Sequence, residues 1–178
     1  MDSLYSWLSE DTIHYFNQYY EIYIRIALSA ILGFIIGWDR ESKSKPAGLK
    51  TYMYVCVASA LITLISIYSV GEFSTLHKNT MMDPMRLTAQ IVSGLGFLGA
   101  GVILKDGLKV KGLTSAAMIL FVGGVGIGIG AGFYSLVIFA VVLCMTLARI
   151  ANVIENQKYK KGQPISNIRN SDVQELTE

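Results

Sequence analysis

Four polar residues near the middle of the chain recur at helical spacing: Asp83, Arg86, Gln90 and Ser93. Steps of three and four place them on one face of a helix, as a polar stripe descending from its N-terminus. The Asp83-Pro84 pair predicts that this helix starts there, with Asp as the cap and Pro at the first helical position. Because the helix dipole disfavours a cation in the first turn, we expect Arg86 to have an acidic partner, Asp83 first and Glu21 or Glu72 as alternatives. The stripe could line an ion path, or it could clamp neighbouring helices without transport.

A second charged group, Asp39-Arg40-Glu41, directly follows an apolar run. Carboxylates are disfavoured at a helix C-terminus, so we expect the two acids to pair with loop lysines or with a cation. Mg²⁺ needs only one or two carboxylates and keeps several waters, which leaves Mg²⁺ open as a ligand while no metal site is assigned. The sequence contains no CxxC, HExxH or phosphate-loop pattern. Neither of its two histidines can be paired as a base with a serine or cysteine nucleophile. We therefore expect no enzyme and no bound cofactor.

The elements that carry these residues are predicted to be membrane-spanning helices. The chain is 52% hydrophobic and only 16% charged, and stretches such as Tyr52–Val70 contain no charge at all. About 20 apolar residues cross a bilayer as a helix, and the apolar stretches divide into five such lengths. The predicted fold is an all-α integral membrane protein with spans at Tyr20–Trp38, Thr51–Val70, Pro84–Leu104, Leu113–Gly130 and Phe133–Ile150.

The distribution of basic residues predicts the orientation of these spans. Lysine and arginine are concentrated in the loops after the first and third spans and in the C-terminal tail, whereas residues 1–19 have none. The positive-inside rule then places the N-terminus outside and the C-terminus in the cytoplasm. Residues 1–19 are interpreted as an interfacial segment, with an extracytoplasmic lid as the alternative, residues 20–150 as the membrane domain and residues 151–178 as a polar cytoplasmic tail.

The two basic loops share a short pattern, since the stretch from Lys45 to Thr51 (KPAGLKT) is matched by the stretch from Lys109 to Ser115 (KVKGLTS) at a constant offset of 64 residues, so that Gly112 corresponds to Gly48. Two helical hairpins in the same orientation, plus a fifth helix, would produce this match. The alternative is that both loops only contain similar helix caps, with Thr51 and Thr114 or Ser115 as the capping residues.

Glycines are concentrated in the third and fourth predicted spans. In lipid, small residues allow helix backbones to approach closely. We expect them to serve packing within the chain, with a dimer seam as the alternative, and the candidates are Gly94, Gly96, Gly99, Gly101, Gly124 and Gly128.

Three segments together resemble the MgtC/SapB family of bacterial membrane proteins: GWDRESKSKPAGLKTYMYV at 37–55, DPMRLTAQIVSGLGFLGAGVIL at 83–104 and VKGLTSAAMILFVGGVGIGIGAG at 110–132. The resemblance implies a five-helix domain of the inner membrane, linked to growth under magnesium limitation and to virulence. The family motif positions fall on Asp39, Arg40, Glu41, Lys45, Pro46, Gly48 and Thr51, on Asp83, Arg86, Gln90, Ser93 and the glycines that follow, and on Thr114.

Two functions are compatible with these residues. The first is a factor in Mg²⁺ or ion homeostasis that regulates or binds another membrane complex. The second is a small oligomeric transporter or channel that uses the stripe of Asp83, Arg86 and Gln90. The expected partners are the lipid bilayer and either a second copy of the chain or another membrane protein. A net charge of only +2 gives no reason to expect nucleic acid.

Overall fold

The computed structural model describes residues 10–41, 46–76, 83, 85–107 and 109–162. It contains five helices and one short β-hairpin: α1 (Glu10–Glu41), α2 (Leu49–Leu76), α3 (Met85–Gly101), β1 (Leu104–Asp106), β2 (Lys109–Lys111), α4 (Leu113–Gly130) and α5 (Tyr134–Gly162). The predicted all-helical fold with five helices is confirmed. The hairpin, in which β1 pairs antiparallel with β2, was not predicted.

Four of the helices are long and apolar enough to cross a membrane, with candidate spans at Tyr19–Glu41, Leu49–Val70, Leu113–Gly130 and Tyr134–Glu155. The fifth, α3, has 17 residues, which is about 26 Å of helix against a hydrocarbon core of roughly 30 Å. It is therefore at the short limit for a span.

The chain divides into two compact units, Met1–Val137 and Ile138–Glu178. The first unit contains α1 to α4, the β-hairpin and the first turn of α5. The second unit contains the remainder of α5, which continues as a helix to Gly162.

Within the first unit, contacts at glycines define how the helices run. Gly33 of α1 lies against Met53 of α2, and Gly37 lies against Leu49, so α1 and α2 are antiparallel. Gly123 of α4 lies against Leu95 of α3, and Gly99 of α3 lies against Ala116 of α4, so α3 and α4 are also antiparallel.

Helix α4 runs parallel to α2, because Gly126 lies against Cys56 and Gly130 lies against Ala60. These contacts make α4 the central helix of the unit, since it packs against α1, α2 and α3. The core consists of apolar side chains from these helices, among them Ile36, Cys56, Leu64, Leu95, Ile119, Val122 and Ile129.

The helix bounds differ from the predicted spans mainly at the ends. The fourth predicted span coincides with α4, whereas the third helix ends at Gly101, three residues before Leu104, which is the first residue of the β-hairpin. The first helix begins at Glu10, so half of the predicted interfacial segment is helical. The remainder of that segment, and the tail after Gly162, lie outside the described residues.

Candidate functional site

The polar stripe predicted on α3 exists as an exposed surface. Asp83, Arg86, Gln90 and Ser93 are all exposed. The Asp83 carboxylate accepts a hydrogen bond from the backbone N–H of Met85 at 2.9 Å, so it caps the helix as predicted. Helical spacing continues the stripe through Gly94, Phe97 and Gly101. We call these seven residues the α3 stripe.

The expected ion pair of Arg86 is not formed with either candidate that the structure describes. Asp83 is engaged at the start of the helix, and Glu21 pairs with Arg25 at 2.5 Å. The side chain of Glu72, the third candidate, lies outside the described residues. The prediction was wrong for Asp83 because a carboxylate at the N-cap is held by the backbone N–H groups next to it.

Gln90 borders an apolar groove of about 570 Å³ between α2 and α3. The groove is lined from α2 by Tyr54, Val55, Ala58, Ser59 and Ile62 and from α3 by Leu87, Gln90, Ile91, Gly94, Leu95 and Leu98. Among these lining residues, only Gln90, Ser59 and Tyr54 have polar side-chain atoms. Such a lining suits an acyl chain or an apolar helix face better than a hydrated ion.

A second cluster lies where α1 ends at Glu41 and α2 begins at Leu49. The β-hairpin joins α3 to α4 at the same end of the unit, and we call this end the β-hairpin end. The Glu41 carboxylate accepts a hydrogen bond from the backbone N–H of Leu49 at 2.8 Å. Glu41 was expected to need a lysine or a cation. The partial positive charge at the start of α2 takes that role, because it attracts a carboxylate just as the end of α1 repels one.

Glycine at position 48 leaves room for this cap. A Cβ built on Gly48 would collide with the Glu41 carboxylate oxygen that caps α2. Thr51, predicted as the cap, is exposed and lies inside the first turn of α2. Pro46 is also exposed and Asp39 is half-buried, while Lys45 lies outside the described residues.

The matching start of α4 also uses glycine. Gly112 is the N-cap with φ of 90°, in the left-handed region, and no side chain caps the helix. A Cβ at this position would collide with the carbonyl of Val102. Because Gly112 is the N-cap and no side chain caps α4, the alternative of a Thr114 or Ser115 cap is wrong; Thr114 is exposed. The left-handed backbone lets the chain turn from β2 into α4, and this turn needs glycine.

Arg40 is a charged residue that is buried at the β-hairpin end, with 8% of its surface exposed. Its Nε and Nη2 atoms have no hydrogen-bond partner, nor has the hydroxyl of Tyr52, a residue that is fully buried on α2. An unpaired buried polar group costs about 1–3 kcal/mol, and more when it is charged. These two side chains are therefore the polar groups of the cluster that the fold does not satisfy.

The opposite end of the unit contains an arginine that the sequence analysis did not select. Arg25 donates from Nη1 to the carbonyl of Gly130 at 2.7 Å and pairs through Nη2 with Glu21. Its guanidinium also lies 5.8 Å from the centre of the Tyr134 ring. Arg25 thus joins α1 to the turn between α4 and α5. A lone cation in an apolar span, four residues after an acid, was the signal that could have identified it.

The predicted packing glycines divide into two groups. A Cβ on Gly99 would make an ordinary contact with Ala116, and one on Gly128 would collide with Val137. At Gly94, Gly96, Gly101 and Gly124 a Cβ would meet nothing within 4 Å. The prediction that these four glycines pack within the chain is therefore wrong. The close contacts of α4 with α2 are made at Gly126 and Gly130 instead.

The arrangement has the features of a membrane protein with several spans. Its long apolar helices pack through glycine contacts, and exposed apolar side chains such as Phe97, Leu136 and Phe139 cover its surface. Among the residues that the structure describes, no group of three or more histidine, cysteine or acidic side chains could hold a metal ion. The fold and these clusters together define a multi-pass helical membrane protein.

Comparison with known proteins identifies the family. Residues 26–157 match the model of the MgtC family. The chain belongs to the MgtC family.

Three relatives show the extent of the match. An uncharacterized protein of Haemophilus influenzae is 39% identical over 143 residues, covering 80% of this chain and 60% of the relative. Protein SapB of Bacillus subtilis is 45% identical over 115 residues, covering 64% and 49%. A protein of Escherichia coli named "Putative magnesium transporter YhiD" is 37% identical over 130 residues, covering 73% and 60%. The chain thus matches about half to three fifths of the length of these relatives. No solved structure matches it.

Proposed function

We propose that this protein acts in the homeostasis of Mg²⁺ or a related ion, in the bacterial inner membrane, by binding and regulating another membrane complex. Membership of the MgtC family and the name of the E. coli relative support the link to magnesium. The α3 stripe supports binding to another membrane complex, because its glycines form a helix-packing surface that the described part of the chain does not cover.

The geometry of that surface carries the proposal. A Cβ added to Gly94 or Gly101 would meet nothing within 4 Å, and Phe97 between them is 82% exposed. Inside the unit, Gly126 and Gly130 allow α4 to lie directly against the backbone of α2. Because small residues drive helix association in lipid, the α3 stripe offers an incoming helix the same kind of contact.

The polar half of the stripe adds specificity to this surface. Arg86 and Gln90 lie in the first and second turns of α3 and are exposed. In hydrocarbon an exposed polar side chain is costly unless a neighbouring helix or water satisfies it. A partner helix with an acidic or amide side chain at the matching depth would therefore be favoured over lipid.

A pair of glycine variants tests the proposal. Gly101→Leu places a side chain on the stripe, whereas Gly96→Leu places the same side chain on another flank of α3, and a Cβ at either position meets nothing within 4 Å. The tagged protein is crosslinked in native membranes and its bound membrane complex is quantified, alongside growth at limiting Mg²⁺. We expect Gly101→Leu to lose both the complex and the growth benefit, and Gly96→Leu to keep both. Equal behaviour of the two variants would contradict the proposal.

A second function, oligomeric ion transport, is favoured by the name of the E. coli relative and by the exposed polar stripe. Flux of Mg²⁺ into liposomes that contain only this protein separates the two functions. Flux that is abolished by Asp83→Ala or Arg86→Ala would establish transport. Absence of flux, with the complex retained in membranes, supports the regulator.

A further inference from the structure

Two buried polar side chains at the β-hairpin end have unsatisfied hydrogen-bonding groups. Arg40 is 8% exposed, and its Nε and Nη2 atoms have no partner. Tyr52 is fully buried, and its hydroxyl likewise has no partner. Buried polar groups in folded proteins are almost always paired. Two such residues in one small region therefore point to a partner that the described part of the chain does not itself supply.

The helix geometry directs both side chains toward the same level. Helices α1 and α2 are antiparallel, with Gly37 against Leu49. Side chains on a helix lean toward its N-terminus. Arg40, three residues after Gly37, therefore leans back toward this contact from one side, and Tyr52, three residues after Leu49, leans back toward it from the other. By this reasoning the guanidinium and the phenol are directed toward the same level of the α1–α2 contact.

The chemistry of these groups defines the missing partner. A guanidinium is a permanent cation with donors only, so its partner must be an acceptor. A buried cation also requires an anion, because burial removes the water that would otherwise solvate it. The neighbouring carboxylate of Glu41 accepts from Leu49, and Arg40 forms no ion pair among the residues that the structure describes. An external anion is therefore the fitting partner.

A phosphate group matches this site better than other anions. The planar fork of arginine binds two oxygens of a phosphate or carboxylate at once. Arg40 lies one residue from the end of the candidate span Tyr19–Glu41, which is the depth of the lipid headgroups. Phosphate oxygens are therefore abundant at its level, from lipid or from the adjoining solution.

We propose that Arg40 and Tyr52 bind one phosphate group between α1 and α2, with two guanidinium N–H groups and the phenolic O–H donating to its oxygens. The phosphate belongs either to an anionic lipid or to free inorganic phosphate. This site is separate from the α3 stripe and does not depend on the proposed function.

Binding to the purified, delipidated full-length protein in detergent tests the site. Thermal stability is titrated with inorganic phosphate against chloride at equal ionic strength, and with phosphatidylglycerol against a glycolipid that lacks phosphate. We expect one phosphate-bearing probe to raise the melting temperature in a saturable manner. A response to inorganic phosphate assigns the free anion, and a response to phosphatidylglycerol alone assigns the lipid headgroup.

Three variants localise the binding. Arg40→Gln removes the cation, Tyr52→Phe removes only the hydroxyl, and Arg149→Gln removes an exposed arginine as the matched control. We expect Arg40→Gln and Tyr52→Phe each to weaken binding roughly tenfold or more, since each loses a hydrogen bond to a charged group, and Arg149→Gln to leave it unchanged.

Two results would overturn the proposal. The first is a wild-type protein that responds to neither phosphate-bearing probe. The second is unchanged affinity in Tyr52→Phe, which decides the matter even where Arg40→Gln does not fold, because Tyr52→Phe keeps the shape and volume of the side chain.

Discussion

At the scale of single residues, an acid that is unfavourable for its own helix stabilises the next one. Glu41 is the last residue of α1, where the dipole disfavours it, yet its carboxylate accepts from the first backbone N–H of α2. The sequence showed the unfavourable position of Glu41 but not its partner, because the partner is a backbone group whose place depends on the turn between the helices.

Replacing Gly48 by alanine is expected to break this cap. The new Cβ would collide with the Glu41 carboxylate, which then releases the N–H of Leu49. Loss of a helix cap costs about 0.5–2 kcal/mol, so Gly48→Ala should lower the melting temperature of the detergent-purified protein. Glu41→Gln keeps an acceptor and should cost less than Gly48→Ala.

Gly96→Ala is the matched control for this prediction. Its Cβ meets nothing within 4 Å, and alanine favours a helix over glycine by about 0.5–1 kcal/mol. Its stability should therefore be unchanged or slightly higher. A Gly48→Ala protein as stable as the Gly96→Ala protein would show that Glu41 does not cap α2.

Arg25 shows a limit of reading residues from sequence. Its pairing with Glu21, four residues earlier, is a local contact that helical spacing alone could predict. Its hydrogen bond to the carbonyl of Gly130 joins residues 105 positions apart. That contact depends on how α1 packs against α4, which local spacing does not specify.

At the scale of the elements, the sequence predicted where apolar helices lie better than where they end. The bounds of α4 were predicted correctly because Gly112 and the Gly-Ala-Gly turn at 130–132 mark both ends. The end of α3 was misplaced because Val102, Ile103 and Leu104 are as apolar as the helix itself. The helix ends at Gly101, and Leu104 pairs with Lys111 in the β-hairpin; such pairing between segments cannot be read from apolar character.

Glycine spacing likewise predicted a packing device but not which glycines use it. On α4, Gly124, Gly126, Gly128 and Gly130 are all plausible by spacing. Which face of α4 lies against α2 decides the matter, and in the fold Gly126 and Gly130 are the glycines that contact the α2 backbone. The open glycines on α3 were assigned to packing within the chain for the same reason.

The close contact of α4 with α2 makes a sharp prediction. In Gly126→Ala the new methyl group would overlap the carbonyl of Cys56, and overpacking of this kind costs about 1–3 kcal/mol. Gly124→Ala, two residues away, meets nothing within 4 Å. We expect Gly126→Ala to unfold at a lower temperature or denaturant concentration than the wild type, and Gly124→Ala to match it. Equal loss in both variants would mean that α2 does not lie against this face of α4.

At the scale of the whole molecule, two features bear on how the chain is oriented in the membrane. Helices α2 and α4 run parallel, and each follows a basic loop. Two hairpins in one orientation would give parallel second and fourth helices, as found, while the internal repeat itself stays a prediction. The described basic residues of the β-hairpin end include Arg40, Lys50, Lys105 and Lys111. From the positive-inside rule we predict that this end faces the cytoplasm.

Cysteine labelling from the two sides of the membrane tests this orientation. Lys105→Cys is exposed in β1, and Met85→Cys is exposed at the start of α3, so α3 separates the two sites. The native Cys144 is exposed and is first replaced by serine, whereas Cys56 is buried. A membrane-impermeant maleimide added to intact spheroplasts should label Met85→Cys and leave Lys105→Cys unlabelled until the cells are opened. The opposite pattern would reverse the topology, and it would move the Arg40 and Tyr52 site to the outer leaflet, because that site lies at the same end of the unit as Lys105.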